Sequence, residues 1–174
     1  MNLRPATPDD VETLAHIHVT AWQETYAGML PAEVIAAQTI AKRTSFWRMS
    51  LSENLGRVWL LDDTGFAHFG PQRTRRWLAQ GYPEELYAIY LLSTAYGNGT
   101  KLLKASHGRD GRPFTANVLT GNKRACAFYD KTGGRILITC KDRVGNVVVD
   151  EHVYGWRSLE PRKNQDHSRD LSPI

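Results

Sequence analysis

Two glycines, Gly97 and Gly99, stand where an apolar segment gives way to a segment with helical spacing. The apolar segment, residues 86–92, is short and rich in β-forming residues, which indicates a buried strand. The first N–H groups of a helix lack intrahelical partners and carry partial positive charge, and glycine lets the backbone approach an anion closely. This arrangement therefore predicts a phosphate-binding site, although the same glycines can mark a simple strand-to-helix turn.

A second pair of residues, Asn122 and Tyr129, accompanies a predicted helix over residues 123–132. They are seven positions apart, close to two helical turns, so both side chains can face the same ligand. The structural alternative is that Asn122 caps the helix and Tyr129 packs at the edge of the core.

The glycine segment resembles the acetyl-CoA-binding motif of the GNAT N-acetyltransferases, in which a strand leads into Q/R-x-x-G-x-G/A and a helix. Aligned on the helix, Gly97 and Gly99 take the small positions, and Thr94 replaces the Gln or Arg. Aligned on the strand, Tyr96 takes that place and Lys101 falls on the second small position. We prefer the helix alignment because phosphate binding depends on the glycine backbone and the helix register.

Residues 117–134 are similar to the GNAT segment V-x-x-x-N-x-x-A-x-x-F-Y-x-x-x-G, which supports a ligand role for Asn122 and Tyr129. Acyl transfer from a thioester to an amine needs a proton acceptor, an oxyanion donor and a proton for the departing sulfur. The resemblance implies that Glu85 is the base, the Leu91 N–H is the donor and Tyr129 is the acid. Glu84 and Glu85 could instead form a solvated turn.

The coenzyme-binding residues that the resemblance implies lie on the strand, the glycine turn and the second motif. Asn122 is expected to hydrogen-bond the pantetheine arm. The full set is Leu91, Leu92, Tyr96, Gly97, Asn98, Gly99, Thr100, Lys101 and Asn122.

Residues 22–31 are rich in large side chains and end in Gly and Pro, so they are expected to break the first helix. They could form a packed connection between helices. The resemblance implies instead that they form a wall of the acceptor pocket. Trp22 and Tyr26 are then expected to contact the amine, because aromatic faces attract a protonated amine.

The predicted elements give the order β-α-α-β-β-β-α-β-α-β-β, which matches the GNAT fold. The fold class is α/β (α+β), with a mixed, mostly antiparallel twisted central sheet flanked by about four helices. One N-acetyltransferase domain is expected over residues 1–159, and residues 160–174 are expected to form a loose C-terminal tail. Residues 31–44 are predicted as the second helix, and residues 73–83 as an irregular, exposed connection.

The composition is that of a globular protein: 174 residues, 41% hydrophobic, with a formal net charge of +4. No apolar run approaches ~20 residues and no signal peptide is visible, so we expect a cytoplasmic protein that does not enter the membrane. Cys126 and Cys140 have no CxxC spacing, which favours reduced thiols. The sequence contains no HExxH or spaced Cys/His set, so no metal is expected.

The sequence thus predicts an acetyl-CoA-dependent N-acetyltransferase acting on a primary amine of a small molecule, peptide or protein. A non-catalytic acyl-CoA-binding or sensor domain of the same fold is the alternative. Nucleic-acid binding is disfavoured because the net charge is modest and no RNP or KH motif is present. A monomer or homodimer is expected.

Overall fold

The computed structural model describes residues 2–108 and 111–159, so the predicted tail at 160–174 lies outside the described residues. The strands in this part of the chain are β1 (Leu3–Pro5), β2 (Arg57–Leu61), β3 (Gly65–Pro71), β4 (Glu84–Leu91), β5 (Phe114–Leu119), β6 (Arg135–Val144) and β7 (Val147–Trp156). The helices are α1 (Val11–Tyr26), α2 (Ala32–Ala36), α3 (Ile40–Ser52), α4 (Arg75–Ala79), α5 (Gly99–His107) and α6 (Lys123–Lys131). Short 3-10 turns cover Pro8–Asp10 and Ser93–Ala95.

The seven strands form one sheet in the order β1-β2-β3-β4-β5-β7-β6. Only the β4–β5 pair is parallel, and the remaining neighbours are antiparallel. The predicted fold class, a mixed and mostly antiparallel sheet flanked by helices, is therefore confirmed.

The parallel pair opens along its length. Glu84 pairs with Phe114 and Glu85 with Thr115, and the strands then separate. Residues 86–91 of β4 consequently present an edge that no strand of the described chain covers. An uncovered edge offers N–H and C=O groups to a ligand.

A bulge marks the point where β4 leaves its neighbour. His68 pairs with Ala88 and Phe69 with Leu86, so Tyr87 is an extra residue on β4. A bulge bends its strand and increases the local twist. We infer that this bend contributes to the opening between β4 and β5.

Helices cover both faces of the sheet. α1 and α3 pack on one face, where Leu14, Trp47 and Phe66 are fully buried. α5 and α6 pack on the other face, where Leu102 and Phe114 are fully buried. Each buried side chain of this size stabilises the fold by about 1.5–3 kcal/mol, and the two layers together hold β4 between them.

The predicted second helix over residues 31–44 is wrong, because the chain forms two helices there, α2 and α3. The Thr39 hydroxyl accepts a hydrogen bond from the Lys42 N–H at 3.3 Å and begins α3. A capping threonine in extended conformation favours a new helix start over a continuous helix.

The prediction that residues 73–83 are irregular is wrong, because they include α4, although most of these residues are exposed as predicted. Trp77 is buried and packs with Tyr82 and Val153. A helix of one turn is too short to show an apolar period in the sequence, and it is held here by the burial of one indole.

The first helix does not break at Trp22 as predicted. It continues to Tyr26, whose ring lies 4.3 Å from that of Trp22. Gly28 then adopts φ +76°, the left-handed region that ends helices. The glycine that prevents the helix from continuing therefore lies two residues beyond its last residue, Tyr26.

Candidate active site

A cavity of about 650 Å³ fills the opening between β4 and β5. Residues 86–91 of β4 and residues 117–119 of β5 form its walls, and α5 and α6 close its ends. Most of the lining is apolar or aromatic, with a few polar groups, as is usual for small-molecule sites. The cavity is therefore the candidate site, and each predicted residue can be placed relative to it.

The glycine turn borders one end of the cavity. Gly97 adopts φ +96°, a conformation that L side chains rarely take, and it lies next to the start of α5. Within the described residues, the N–H groups of Gly97, Gly99 and Thr100 have no backbone acceptor. All three residues line the cavity, so the helix N-terminus offers donors there.

Two N–H groups of the predicted cradle are already engaged. The Tyr96 N–H donates to the Ser93 carbonyl at 3.4 Å, and the Asn98 N–H donates to the Ala95 carbonyl at 3.3 Å. Tyr96 still borders the cavity with its other atoms, and its ring lies 4.1 Å below the Arg124 guanidinium. This arginine brings positive charge to the same end of the site.

Gly99 has a packing role in addition to its place in the turn. A Cβ built on it would lie 3.0 Å from Cε2 of Phe128, so the glycine lets α5 approach α6 closely. At Gly97, by contrast, a Cβ would meet no described atom within 4 Å. The open space needed for an anion therefore lies beside Gly97 rather than Gly99.

The predicted coenzyme contacts on β4 and α5 divide into two groups. Leu91 lines the cavity. Leu92, Asn98 and Lys101 are not among the described residues that line it. The Leu92 N–H donates to the Thr64 carbonyl at 2.8 Å, so that donor is not available to a ligand in this conformation.

Asn122 and Tyr129 both line the cavity, as their spacing predicts. The Asn122 Oδ1 accepts a hydrogen bond from the Ala125 N–H at 3.1 Å, so this residue also caps α6. Tyr129 is buried against Tyr154 and Trp156, with ring centroids 5.4 and 5.1 Å away. Burial raises the pKa of the Tyr129 hydroxyl, which therefore stays protonated at neutral pH.

Trp22 and Tyr26 also border the cavity. The Tyr90 hydroxyl donates to the Tyr26 hydroxyl at 3.4 Å, which joins α1 to β4 across the site. Their contact with an acceptor amine stays a prediction.

Glu85 lies apart from the cavity lining. Its carboxylate accepts hydrogen bonds from Nη2 and Nε of Arg73, the latter at 3.2 Å. Arg73 also stacks over the Tyr87 ring at 4.2 Å. The predicted role of Glu85 as a base stays a prediction, and its carboxylate is committed to an ion pair here.

A different carboxylate, Glu151 on β7, lines the cavity and is half-buried. The Asn117 Nδ2 donates to its Oε2 at 3.0 Å. Burial, together with the neighbouring Asp142 carboxylate, raises the pKa of Glu151 to about 7. A carboxylate with such a pKa can both accept and release a proton near neutral pH.

Comparison with known proteins places this architecture. No family model matches the chain. The sequence is 32% identical over 104 residues to the uncharacterized N-acetyltransferase YuaI of Bacillus subtilis (strain 168). That match covers 57% of this chain and 57% of YuaI, so little more than half the length of this curated relative is matched.

Solved structures match over more of the chain. An N-acetyltransferase from Staphylococcus aureus Mu50 superposes with a TM-score of 0.66 at 21% identity, covering 91% of this chain and 98% of that one. The PaiA N-acetyltransferase from Thermoplasma acidophilum, in complex with coenzyme A, has a TM-score of 0.59 at 22% identity, covering 86% and 96%. The chain has the fold of the GNAT superfamily. The resemblance predicted from the two sequence motifs is thereby confirmed.

Within this GNAT fold, sequence reasoning missed Glu151 and Arg124. Glu151 carried a usable signal, since Val149 and Val153 flank it at two-residue spacing and place it on the apolar face of a strand. Its neighbour Asp150 points the other way and pairs with Lys141 at 2.8 Å. A charged residue in phase with apolar neighbours is a candidate for a buried functional role.

No group of three or more His, Cys, Asp or Glu side chains in residues 2–108 and 111–159 could hold a metal ion. Over the same residues, none of the helices combines the length and apolarity that crossing a bilayer requires.

Proposed function

We propose that this protein is an acetyl-CoA-dependent N-acetyltransferase that acetylates a primary amine of a small molecule, peptide or protein. The observation that carries the proposal is the cavity between β4 and β5. It joins a helix N-terminus at one end to a protonated phenol and a titratable carboxylate, Tyr129 and Glu151. A cytoplasmic location and a monomeric or homodimeric state belong to the same proposal.

The residues present fit coenzyme A. The turn at Gly97 has open space where a side chain would stand, and the adjoining N–H groups of α5 suit a pyrophosphate. The uncovered edge of β4 can hydrogen-bond the amide groups of an extended arm. The coenzyme A in the PaiA structure supports this assignment, because that protein shares the fold.

When bound, acetyl-CoA would supply an acetyl group activated as a thioester. Glu151 then accepts the proton that the acceptor's ammonium group must lose before its nitrogen can attack, since the raised pKa of Glu151 matches the working pH. The Tyr129 hydroxyl holds a proton that it can donate to the departing sulfur. The predicted donor to the oxyanion is the Leu91 N–H, on the β4 edge of the cavity.

The test is release of free thiol from acetyl-CoA in the presence of a panel of amines, with the acetylated products identified by mass spectrometry. Amine-dependent thiol release is expected. Tight acetyl-CoA binding by calorimetry with no release on any amine would favour the non-catalytic acyl-CoA-binding alternative. No binding at all would overturn both.

A further inference from the structure

A second cavity, of about 660 Å³, lies against the face of the sheet that α1 and α3 cover. Its walls come from α1, α3, β3 and β4, and it adjoins the first cavity. The residues that border both cavities are Trp22, Arg73, Tyr87, Ala88 and Tyr90. The two cavities are therefore neighbours that share a wall made largely by β4.

Five buried polar atoms concentrate around this second cavity. They are His18 Nδ1, Trp22 Nε1, Arg43 Nε, Trp47 Nε1 and Ser50 Oγ, and none has a hydrogen-bond partner within the described residues. All five residues line the second cavity. Leaving one buried polar group unpaired destabilises a protein by about 1–3 kcal/mol. Five such groups around one cavity therefore indicate that the cavity takes a polar ligand.

The chemistry of these atoms selects the ligand's charge. An indole N–H and a guanidinium are donors that cannot accept a hydrogen bond. Burial lowers the pKa of His18 to about 3, so this imidazole is neutral. Burial also lowers the pKa of His68, whose Nε2 lies 3.0 Å from the Leu55 carbonyl. The cavity therefore presents mainly donors.

Arg43 supplies the charge. It is half-buried on α3, and no carboxylate of the described residues lies within ion-pair distance of it. No described Asp or Glu lines the second cavity, and the other arginine there, Arg73, is already paired with Glu85. A half-buried cation without an acid among these residues is suited to an anion that arrives with the ligand.

Tyr90 connects this charge to the reaction site. It borders both cavities, and its hydroxyl donates to the Tyr26 hydroxyl at 3.4 Å. Aromatic rings also line the second cavity, including those of Phe46 and Trp47. The second cavity thus combines an aromatic lining with the hydrogen-bond donors near Arg43.

We propose that the second cavity binds a carboxylate of the acceptor, so that the acetylated substrate is a small amine that also carries a carboxylate and an apolar or aromatic body. This substrate class rests on the proposed acetyltransferase function. Arg43 is the residue that recognises the carboxylate, and the Trp47 indole N–H assists it.

The experiment compares matched amines in which a methyl group replaces the carboxylate, such as 4-(aminomethyl)benzoate with 4-methylbenzylamine, and 6-aminohexanoate with hexylamine. The native protein should show a higher kcat/KM for the carboxylate-bearing member of at least one pair. Arg43→Gln should raise KM for that member about 10–100-fold, as for loss of a charge-assisted pair, and Arg43→Lys should restore part of it. KM for acetyl-CoA and for the carboxylate-free amine should not change.

Arg48→Gln is the matched control, because Arg48 lies on the same helix and is exposed, 3.8 Å from Glu12. It should leave all constants unchanged. Equal activity on both members of every pair, or an equal loss on both in Arg43→Gln, would overturn the proposal.

A binding measurement separates this proposal from the proposed function. 3-Phenylpropanoate has the carboxylate and the aromatic body but no amine, and its binding by calorimetry needs no catalysis. Binding that Arg43→Gln abolishes would support the anion site even if no amine is acetylated. If it fails to bind the native protein and the amine pairs show no preference, the anion site is overturned while acetyl transfer stands.

Discussion

Tyr129 combines access to the reaction cavity with an environment that keeps its hydroxyl protonated. Such a group can act as a general acid and not as a base. We expect Tyr129→Phe to lower kcat about 10²-fold, within the usual range for acid–base groups, while acetyl-CoA affinity is kept. Steady-state kinetics would measure kcat, and calorimetry would measure the affinity for acetyl-CoA.

Tyr154 offers the matched control for this substitution. Its hydroxyl donates to Asp130 at 3.1 Å, its ring packs on Tyr129, and it does not line the cavity. Tyr154→Phe should therefore lower the melting temperature and leave kcat nearly unchanged. If Tyr129→Phe behaves in the same way, Tyr129 only packs the core.

Glu151 should impose a pH dependence on the reaction. Its carboxylate accepts a proton only when ionised, and its pKa is about 7, so kcat/KM should rise with pH through about 7. Glu151→Gln should lose this rise as well as most of the rate. The check is a pH profile of kcat/KM from pH 5.5 to 8.5 with one amine throughout, so that the titration of the amine is common to all variants.

Two neighbours of Glu151 should shift its pKa in opposite directions, which tests its assignment as the base. Asp142 is a like charge that raises the pKa, so Asp142→Asn should move the rise to lower pH. Asn117 donates to the ionised carboxylate, so Asn117→Ala should move the rise to higher pH. Shifts in the same direction for both variants would contradict the assignment of Glu151 as the base.

The turn before α5 depends on two glycines for different reasons. Gly97 is needed for its φ of +96°, whereas Gly99 is needed for the close approach of α5 to Phe128. We expect Gly97→Ala to weaken acetyl-CoA binding, because a Cβ in the left-handed region costs roughly 1–2 kcal/mol and displaces the N–H donors beside it. Calorimetry on the variant would measure the loss.

Gly99→Ala should behave differently. Its Cβ would press on the Phe128 ring at 3.0 Å, so the main effect should be a lower melting temperature from strain between α5 and α6. Equal affinity of the native protein and Gly97→Ala for acetyl-CoA would place the pyrophosphate away from this turn.

Elements with strong local signals could be predicted from the sequence. The strand predicted over residues 86–92 is found as β4, Glu84–Leu91, and α6 begins after Asn122, whose side chain caps it. Alternating apolar residues and capping side chains act locally, so a single sequence shows them. The glycine turn and the Asn122 segment are local signals of this kind, which is why the fold could be recognised.

Features that depend on tertiary contacts could not be predicted in this way. Helix α4 exists because Trp77 packs against residues from β7 and the following loop. The second cavity joins α1 and α3 to β4, and nothing in the local pattern around Arg43 indicates a buried charge. The ion pair of Glu85 is a further example, since only the structure shows that Arg73 engages the Glu85 carboxylate.

The whole sheet is divided by the opening that forms the site. Strands β1 to β4 form one part and β5 to β7 the other. The two parts are joined only where Glu84 and Glu85 of β4 pair with Phe114 and Thr115 of β5. The edge of β4 from residue 86 to 91 is uncovered in the described chain, so its amides facing β5 should exchange quickly with solvent in the free protein. A ligand that contacts both β4 and β5 should link the two parts of the sheet.

Acetyl-CoA should therefore stabilise the molecule and protect one edge selectively. At 100 times its dissociation constant, binding adds about 2.7 kcal/mol, which for a chain of this size corresponds to a rise of roughly 5–11 °C in melting temperature. Hydrogen exchange should slow most at the β4 amides facing β5 and in the first turn of α5. Amides between β2 and β3, which are paired on both strands without the ligand, are the internal control. A melting shift with uniform protection, or protection confined to α1 and α3, would mean that acetyl-CoA binds elsewhere than between β4 and β5.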